Sequence, residues 1–225
     1  MSEKNNRIMR TKKPWTTKAA MDQVYKESFW GGTNDAFYSG DGSHCPELVD
    51  PYVFAVAEFL NSFTPQISVC DLGCGDFNVG NNLVKHTRKY VAVDIVDDLI
   101  NRNKELFKTE NLKFQCLDIA TDDLPIADCA ILRQVLQHLS NAEIHQILSK
   151  LDAFKYVIIT EHIPDGAFIP NKDIISGQGI RMKKKSGVDV LASPFHFQAK
   201  EVKPLVSAAL NDGKGIIDTK LYVLF

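Results

Sequence analysis

The stretch Ile67–Gly80, ISVCDLGCGDFNVG, decides the fold class of this chain. An apolar run with β-strand character ends at Asp71, and the turn Gly73-Cys74-Gly75 follows it. Glycines let the backbone approach a ligand closely, and a helix that begins after the turn offers unpaired N–H groups. In open parallel sheets this junction lies at the carboxyl edge, where ligands bind. We therefore predict a ligand site here, with Cys74 among its contacts.

The acid before the glycines selects the type of ligand. The carboxylate of Asp71 stands two residues ahead of the first glycine. Because opposite charges attract, it suits a ligand with a cationic amine or sulfonium better than one with a pyrophosphate. This preference points to S-adenosylmethionine.

Apolar and periodic segments alternate around this stretch. They predict strands at about 67–72, 90–94, 112–117, 129–132 and 156–160, and helices at about 21–30, 51–63, 77–86, 97–107, 134–139 and 142–151, with Ser140 or Asn141 as the last N-cap. Runs at 202–208 and 221–225 flank the turn Asn211-Asp212-Gly213 and predict an antiparallel hairpin. Since βαβ crossovers are right-handed, we expect an α/β fold with a mostly parallel seven-stranded sheet, an antiparallel edge hairpin and helices on both faces.

The length of 225 residues suits one domain, which we place at 21–225 after a basic, flexible tail at 1–20. Within that domain, residues 21–63 are expected to supply the N-terminal helices and a lid. The segment 161–200 has little periodicity, and a loop of that length is usually functional, so we expect an acceptor-binding insertion there.

Composition limits the expected binding partners, cellular location and cysteine chemistry of the protein. The net charge of −2 gives no overall attraction to nucleic acid or anionic membranes. No apolar run is long enough to span a membrane and no secretory signal begins the chain, so we expect a cytoplasmic protein with no membrane partner. The five cysteines are odd in number and form no CxxC pair, so we expect no disulfide framework and no metal site.

Two further acids complete the predicted site. Asp94 ends the second strand and Asp118 follows the third, so both should join Asp71 at one sheet edge. A carboxylate at Asp94 can accept both hydroxyls of a ribose, and one at Asp118 can accept from the amine of adenine. Ile95 and Ile119 follow these acids and can cover the faces of the base.

A dinucleotide-binding fold is the alternative. Asp94 satisfies its acid spacing, but the glycine that its fingerprint requires three residues after Gly75 is Asn78 here. Three acids in register with three strands favour the first interpretation.

These residues resemble class I S-adenosylmethionine-dependent methyltransferases, whose D/E-x-G-x-G-x-G motif is matched by Asp71, Gly73 and Gly75, with Phe77 in place of the third glycine. The resemblance implies that the turn wraps the methionine end of the cofactor, that Asp94 holds the ribose and that Asp118 holds the adenine amine.

The resemblance extends to other segments. Ala127–Ser140 is similar to the family's fourth strand and following turn, which implies that Arg133 and Gln134 line the cofactor. Short motifs at 30–32, 39–43, 171–174 and 177–181 resemble those of a bacterial subgroup whose substrate is unknown.

Candidates for the chemistry are fewer. Methyl transfer chiefly needs alignment of the acceptor, and a base only where the acceptor must lose a proton. Glu161 and His162 follow the fifth strand and are the better candidates, ahead of His138. For the substrate we name Tyr38, His44, His162 and Arg181.

Two segments have open interpretations. Trp30, Phe37 and Tyr38 form either a packing cluster or a lid, in which Trp30 would cover the cofactor's sulfonium. A basic cluster has two interpretations: it is either a solvated surface loop or a site that attracts an anionic acceptor. The cluster consists of Arg181, Lys183, Lys184 and Lys185.

We therefore expect an enzyme that transfers methyl groups from S-adenosylmethionine to a small-molecule or glycan-like acceptor, with an anionic acceptor among the candidates. The alternatives are an RNA or protein methyltransferase, and a non-catalytic cofactor-binding module or nicotinamide-dependent enzyme. The near-neutral charge stands against RNA, and the two basic segments stand in its favour.

Overall fold

The computed structural model describes residues 14–32, 37–210 and 213–225. Its α-helices are α1 (Thr17–Lys26), α2 (Pro46–Asn61), α3 (Asp97–Leu106) and α4 (Asn141–Leu151). Its strands are β1 (Ser68–Leu72), β2 (Lys89–Asp94), β3 (Leu112–Cys116), β4 (Cys129–Arg133), β5 (Tyr156–Ile163), β6 (Glu201–Ala209) and β7 (Ile216–Val223).

The seven strands form one sheet in the order β3-β2-β1-β4-β5-β7-β6. Strands β1 to β5 pair in parallel, whereas β7 pairs antiparallel with both β5 and β6. This confirms the mostly parallel sheet with an antiparallel hairpin at its edge. The carboxyl ends of β1, β2 and β4 consequently open on the same side of the molecule.

Alternate strand residues build two separate cores. On β1, Cys70 and Leu72 pack on the face that α4 covers, whereas Val69 packs on the face that α2 covers. Side chains alternate across a strand, so each strand serves both cores. Helices on both faces are thereby confirmed, and Asp71 shares the α2 face with Val69.

The prediction of a helix at 77–86 is wrong. Two short 3₁₀ turns, Gly80–Asn82 and Val84–His86, occupy that segment. Phe77 has φ of +65° and is completely buried against Tyr90, Phe107 and Phe114. A left-handed residue cannot continue an α-helix, so burial of this ring fixes the chain in a turn. The expected helix N-terminus at the glycine turn is therefore not formed.

The remaining helices differ mainly at their ends. Helix α2 begins at Pro46 rather than Pro51, because Pro46 occupies the first helical turn and Pro51 is accommodated inside. The first helix lies at 17–26, earlier than the expected 21–30, since Thr16 caps it through the N–H of Ala19. The segment expected as a helix at 134–139 is a single 3₁₀ turn at 136–138.

Ser140 caps α4 as expected, in a reciprocal capping box with Glu143. Residues 1–13 of the predicted tail and residues 211 and 212 of the predicted hairpin turn lie outside the described residues. Within the described part of the chain, no helix has the length and apolar character that a bilayer crossing demands.

The segment after β5 is only partly the loop that its sequence indicates. Val188, Val190, Phe195 and Phe197 are buried in the core on the α4 face. These four side chains anchor the second half of the segment, so it completes the core beside α4.

Candidate active site

A cavity of about 360 Å³ opens at the carboxyl ends of the parallel strands. Its volume lies in the range of small-molecule sites. Its wall contains every residue that the sequence suggested for the cofactor: Trp30, Asp71, Gly73, Cys74, Gly75, Asp94, Ile95, Asp118, Ile119, Arg133 and Gln134.

Two of the three acids, Asp94 and Asp118, take their positions from local backbone contacts. Asp94 accepts from the N–H of Gly75 at 3.0 Å through Oδ2 and from the N–H of Val96 at 3.1 Å through Oδ1. Asp118 accepts from the N–H of Ala120 at 2.9 Å. These bonds fix each carboxylate at the end of its strand, and each oxygen retains a lone pair for a ligand.

Asp71 is buried and is hydrogen-bonded to a tyrosine of β2. It is 6% exposed, and its Oδ2 accepts from the Tyr90 hydroxyl at 2.9 Å. Burial raises the pKa of Asp71 to about 7; the charge of Asp94 also raises it, whereas the Tyr90 bond and the charge of Arg133 lower it. An opposite charge from a ligand would favour its ionised form.

The glycine turn is held from two sides. The N–H groups of Gly73 and Cys74 both donate to the carbonyl of Val93, and Asn103 on α3 donates to the carbonyl of Gly75 at 2.8 Å. Gly75 has φ of +57°, and a Cβ there would collide with Ser39 Oγ. Glycine is therefore required at position 75 for both conformation and space.

Residues 70–154 match the family described as a methyltransferase domain. This range contains the glycine turn and the wall residues Asp71, Asp94 and Asp118. Over that range, the chain is similar to a methyltransferase domain.

Two curated relatives resemble part of this domain. Phosphoethanolamine N-methyltransferase 1 of Arabidopsis thaliana is 27% identical over 89 residues, which are 37% of this chain and 18% of that protein. The phosphoethanolamine N-methyltransferase of Triticum aestivum is 28% identical over 101 residues, 43% of this chain and 20% of that protein. The chain thus matches about a fifth of the length of these relatives.

Solved structures share the fold of this chain. Magnesium protoporphyrin IX methyltransferase from Synechocystis, with bound S-adenosylhomocysteine, has a TM-score of 0.61 at 16% identity over 93% of this chain and all of that one. The N-methyltransferase NodS from Bradyrhizobium japonicum has a TM-score of 0.60 at 10% identity over 80% of this chain and 88% of that one. At these identities the likeness concerns the fold.

Residues 37–45, which we call the covering segment, lie over the glycine turn. Asp76 accepts from the N–H of Ser39 at 2.8 Å and contacts His44 Nε2 at 2.6 Å. The ring of Tyr38 stacks on His44 with centroids 4.2 Å apart, and its hydroxyl donates to Asp41. Tyr38 and His44, both candidates for the substrate, are thus engaged with this segment and do not line the cavity.

Helix α1 supplies cavity residues that the sequence analysis missed. Thr17, Met21 and Tyr25 line the cavity, and the Tyr25 hydroxyl lies 3.0 Å from Ser39 Oγ. Tyr25 also packs against Trp30 at 5.5 Å between ring centroids. The helical spacing of Met21 and Tyr25 was visible, but only the fold shows which surface that face covers.

His138 lies on the cavity wall beneath Trp30, at 4.9 Å between ring centroids. Burial lowers the pKa of His138 to about 4, so the imidazole is neutral at pH 7. Because Gln137 Oε1 accepts from the N–H of His162, its amide nitrogen donates to His138 Nε2 at 3.2 Å. The proton then lies on Nδ1, which is buried and without a partner among the described residues. His138 therefore has no free nitrogen lone pair with which to act as a base.

Glu161 and His162 do not reach the cavity wall. Glu161 is 4% exposed and accepts from the N–H of Leu136 at 3.0 Å, on the α4 face of the sheet. His162 Nε2 contacts the carbonyl of Lys214 at 2.6 Å, which holds its ring against the hairpin. Both candidates therefore lie outside the cavity because β5 continues three residues beyond its expected end at Thr160.

The expectation that Arg181 contacts the substrate is wrong. Its side chain is 1% exposed, and its guanidinium donates hydrogen bonds to backbone carbonyls of two different segments. The acceptors are the carbonyls of Leu136, Gln137, Leu139 and Lys172 and the side chain of Asn141. Arg181 therefore fastens the segment after β5 to the turn that carries His138.

Lys183, Lys184 and Lys185 are exposed and lie outside the cavity wall. Lys184 donates to the carbonyl of Asp173 at 2.6 Å. Within the described residues, Arg133 is the one cationic side chain on the wall. No group of three His, Cys, Asp or Glu side chains within the described ranges could hold a metal ion.

Proposed function

We propose that this protein transfers a methyl group from S-adenosylmethionine to a small-molecule acceptor. One observation carries the proposal: Asp71, Asp94 and Asp118 meet on the wall of one cavity that also contains the glycine turn. Carboxylates in that arrangement suit a ligand with a cationic end, a ribose and an adenine amine. The match of residues 70–154 to a methyltransferase domain supports it.

The residues of the wall fit this cofactor. Asp94 would accept the ribose hydroxyls, and Asp118 would accept from the adenine amine. Ile95 and Ile119 lie on the same wall and would cover the base. The glycine turn, with Cys74, would follow the methionine end. Trp30 would face the sulfonium with its ring, a contact worth about 0.5–2 kcal/mol.

Bound S-adenosylmethionine would supply a methyl group that its sulfonium already activates. The chain must align the acceptor's lone pair with that carbon at about 3–3.5 Å and exclude water. Trp30, Met21 and Tyr25 form the cover for this purpose. His138 would contact the acceptor as a neutral imidazole and would not remove its proton.

The acceptor would lie on the part of the wall formed by His138, Gln178 and Ile180. This part is bounded by α1 and by the segment after β5, so its dimensions favour a small molecule or the end of a glycan. The lysines at 183–185 are outside the wall, where they could attract an anionic acceptor but not hold its reacting group. RNA or protein acceptors remain alternatives to be separated by experiment.

The experiment is calorimetric titration of the purified protein with S-adenosylhomocysteine and with NAD. We expect S-adenosylhomocysteine to bind and NAD to bind far more weakly, because no third glycine admits a pyrophosphate at Asn78. Incubation with S-adenosylmethionine and pools of small amines, phenols, sugars, RNA and protein should then release S-adenosylhomocysteine with one class. Tight NAD binding without S-adenosylhomocysteine binding would contradict the proposal, and binding without turnover in any pool would favour a non-catalytic module.

A further inference from the structure

One carboxylate of the cavity wall is carried by a helix. Glu143 on α4 lines the cavity, and its Oε1 accepts a hydrogen bond from the Thr17 hydroxyl of α1. Its Oε2 accepts from the N–H of Ser140 and from the hydroxyl of Ser176, in the segment after β5. Because α1 and the segment after β5 bound the acceptor part of the wall, Glu143 brings its carboxylate to that part.

The hydrogen bonds of Glu143 keep it ionised. Burial raises its pKa, but hydrogen bonds from Ser140, Ser176 and Thr17 outweigh burial and hold the pKa below its usual value. A carboxylate with a low pKa is a poor general base. Since Thr17 is the one described donor to Oε1, that oxygen retains a lone pair for an N–H of a ligand.

The wall as a whole disfavours an anionic acceptor. Arg133 is its one cationic side chain among the described residues, and Nη2 of that arginine donates to the Gly42 carbonyl of the covering segment at 2.6 Å. Five carboxylates line the same described wall, those of Asp71, Asp76, Asp94, Asp118 and Glu143. An anion would meet their charges in a cavity partly closed to water, where repulsion between like charges is strong.

The described acceptor part of the wall also has no base for a hydroxyl group. His138 is neutral and has no free lone pair, and Glu161 and His162 lie outside the wall. Burial raises the pKa of Tyr25 well above its ordinary value, so this side chain stays a phenol. An alcohol must lose its proton to become a strong nucleophile, whereas a neutral amine already presents a lone pair.

Methyl transfer to an amine moves positive charge from the cofactor to the acceptor. The lone pair of the neutral nitrogen forms the N–C bond, the C–S bond breaks, and its electron pair stays on sulfur. The sulfonium becomes a neutral thioether and the nitrogen becomes an ammonium. A carboxylate on the acceptor side stabilises the charge that develops there, whereas it would repel an oxygen anion.

We propose that the acceptor is a small primary or secondary amine and that Glu143 selects it by accepting its N–H. This inference rests on the proposed function and names the acceptor class. The amine binds as its free base, which is in equilibrium with the ammonium form in solution. The product leaves as the methylated ammonium and releases its proton to water. Thr17 and Ser176 are positioning residues that hold the carboxylate between α1 and the segment after β5.

The first experiment separates acceptors by charge. A small-molecule extract of the source cells is divided on cation-exchange and anion-exchange resins, and each fraction is incubated with the protein and methyl-tritiated S-adenosylmethionine. We expect labelled product from the fraction that the cation exchanger retains, and none after acetic anhydride has blocked its primary and secondary amines. Label confined to the other fractions, or label that survives acetylation, would overturn the inference and leave the methyltransferase proposal standing.

The second experiment tests Glu143 itself. Glu143→Gln removes the charge but preserves the capping box, because glutamine also serves at the third residue of a helix. We expect it to raise the apparent KM for the retained amine fraction about 10-fold, since a charge-assisted hydrogen bond is lost, and to leave S-adenosylhomocysteine affinity within about twofold. Glu110→Gln, at an exposed acid outside the cavity wall, is the matched control.

The outcomes separate this inference from the proposed function. Retained S-adenosylhomocysteine binding shows that Glu143→Gln is folded. An unchanged KM in that variant would overturn the role of Glu143, and so would an equal loss of affinity for S-adenosylhomocysteine. A wild type that binds S-adenosylhomocysteine but labels no fraction, or that does not bind it, would overturn both proposals.

Discussion

Asp94 Oδ2 accepts a hydrogen bond of 3.0 Å from the backbone N–H of Gly75, and this bond joins the end of β2 to the glycine turn after β1. One carboxylate thus positions the turn and retains lone pairs toward the cavity. Two strands that are neighbours in the sheet build their ligand edge as one unit, and changes at Asp94 should affect both parts.

Asp94→Ala should weaken the binding of S-adenosylhomocysteine by roughly 2–3 kcal/mol, because two ribose hydroxyls lose a charged acceptor. 5′-Methylthioadenosine, which contains the same ribose but lacks the amino-acid end, should also lose affinity, and by no more than S-adenosylhomocysteine does. Titration calorimetry of both ligands measures it, with the exposed Asp98→Asn as control. Unchanged affinities would remove Asp94 from the ribose site.

Asp71 should give ligand binding a pH dependence near neutrality. Burial raises the pKa of Asp71 to about 7, so the free site is partly protonated there. A bound ammonium favours the ionised form and lowers that pKa, hence the affinity for S-adenosylhomocysteine should rise between about pH 6 and 8. Calorimetry across this range should show the rise in the wild type and a flatter profile in Asp71→Asn. A wild-type profile as flat as that of the variant would contradict the role of Asp71.

Glu161 should reduce stability as the pH rises. Burial raises its pKa from 4.5 to about 8, and Oε2 is buried without a partner among the described residues. The folded state therefore holds a proton that the unfolded state has released, so the free energy of unfolding falls between about pH 4.5 and 8 and levels off above.

Urea unfolding at several pH values measures this effect. Glu161→Gln should flatten the profile in that window, because a neutral amide does not titrate. If Glu161 were the catalytic base, the same variant would lose turnover at unchanged S-adenosylhomocysteine affinity. We expect turnover to persist, since Glu161 lies outside the cavity wall.

Arg181 should matter for stability. Arg181→Lys removes most of five buried hydrogen bonds and should lower the free energy of unfolding by about 3 kcal/mol. Lys183→Ser, at an exposed position two residues away, should change it by less than about 0.5 kcal/mol. Equal stability of Arg181→Lys and the wild type would mean that these bonds contribute little.

Ligand binding should slow hydrogen exchange in the covering segment. S-adenosylhomocysteine should protect amides of residues 37–45, because Arg133 holds the Gly42 carbonyl. Exchange measured by mass spectrometry tests this, and identical rates with and without ligand would leave Trp30 and Tyr38 as packing residues only.

The sequence around Asp71 was sufficient for the fold and for one half of the site. The acids at 71, 94 and 118 each follow an apolar run, and parallel strands bring such positions to a common edge whatever the rest of the chain does. The expectation for Arg181 failed for a different reason. An arginine beside three lysines has the composition of a surface, and only the packing of carbonyls from 136–139 around it makes it a buried anchor.

By itself, the sequence determined the succession of strands along the chain, the glycine turn and the positions of three carboxylates, because these follow from periodicity and local backbone chemistry. Tertiary structure alone decided which other side chains meet them. Tyr52 on α2, Arg133 on β4 and Tyr25 on α1 are distant in sequence and line one cavity only when the sheet and its helices pack. The turn at Phe77 was decided in the same way, since burial of its ring against β2 and β3 outweighs the local preference for a helix.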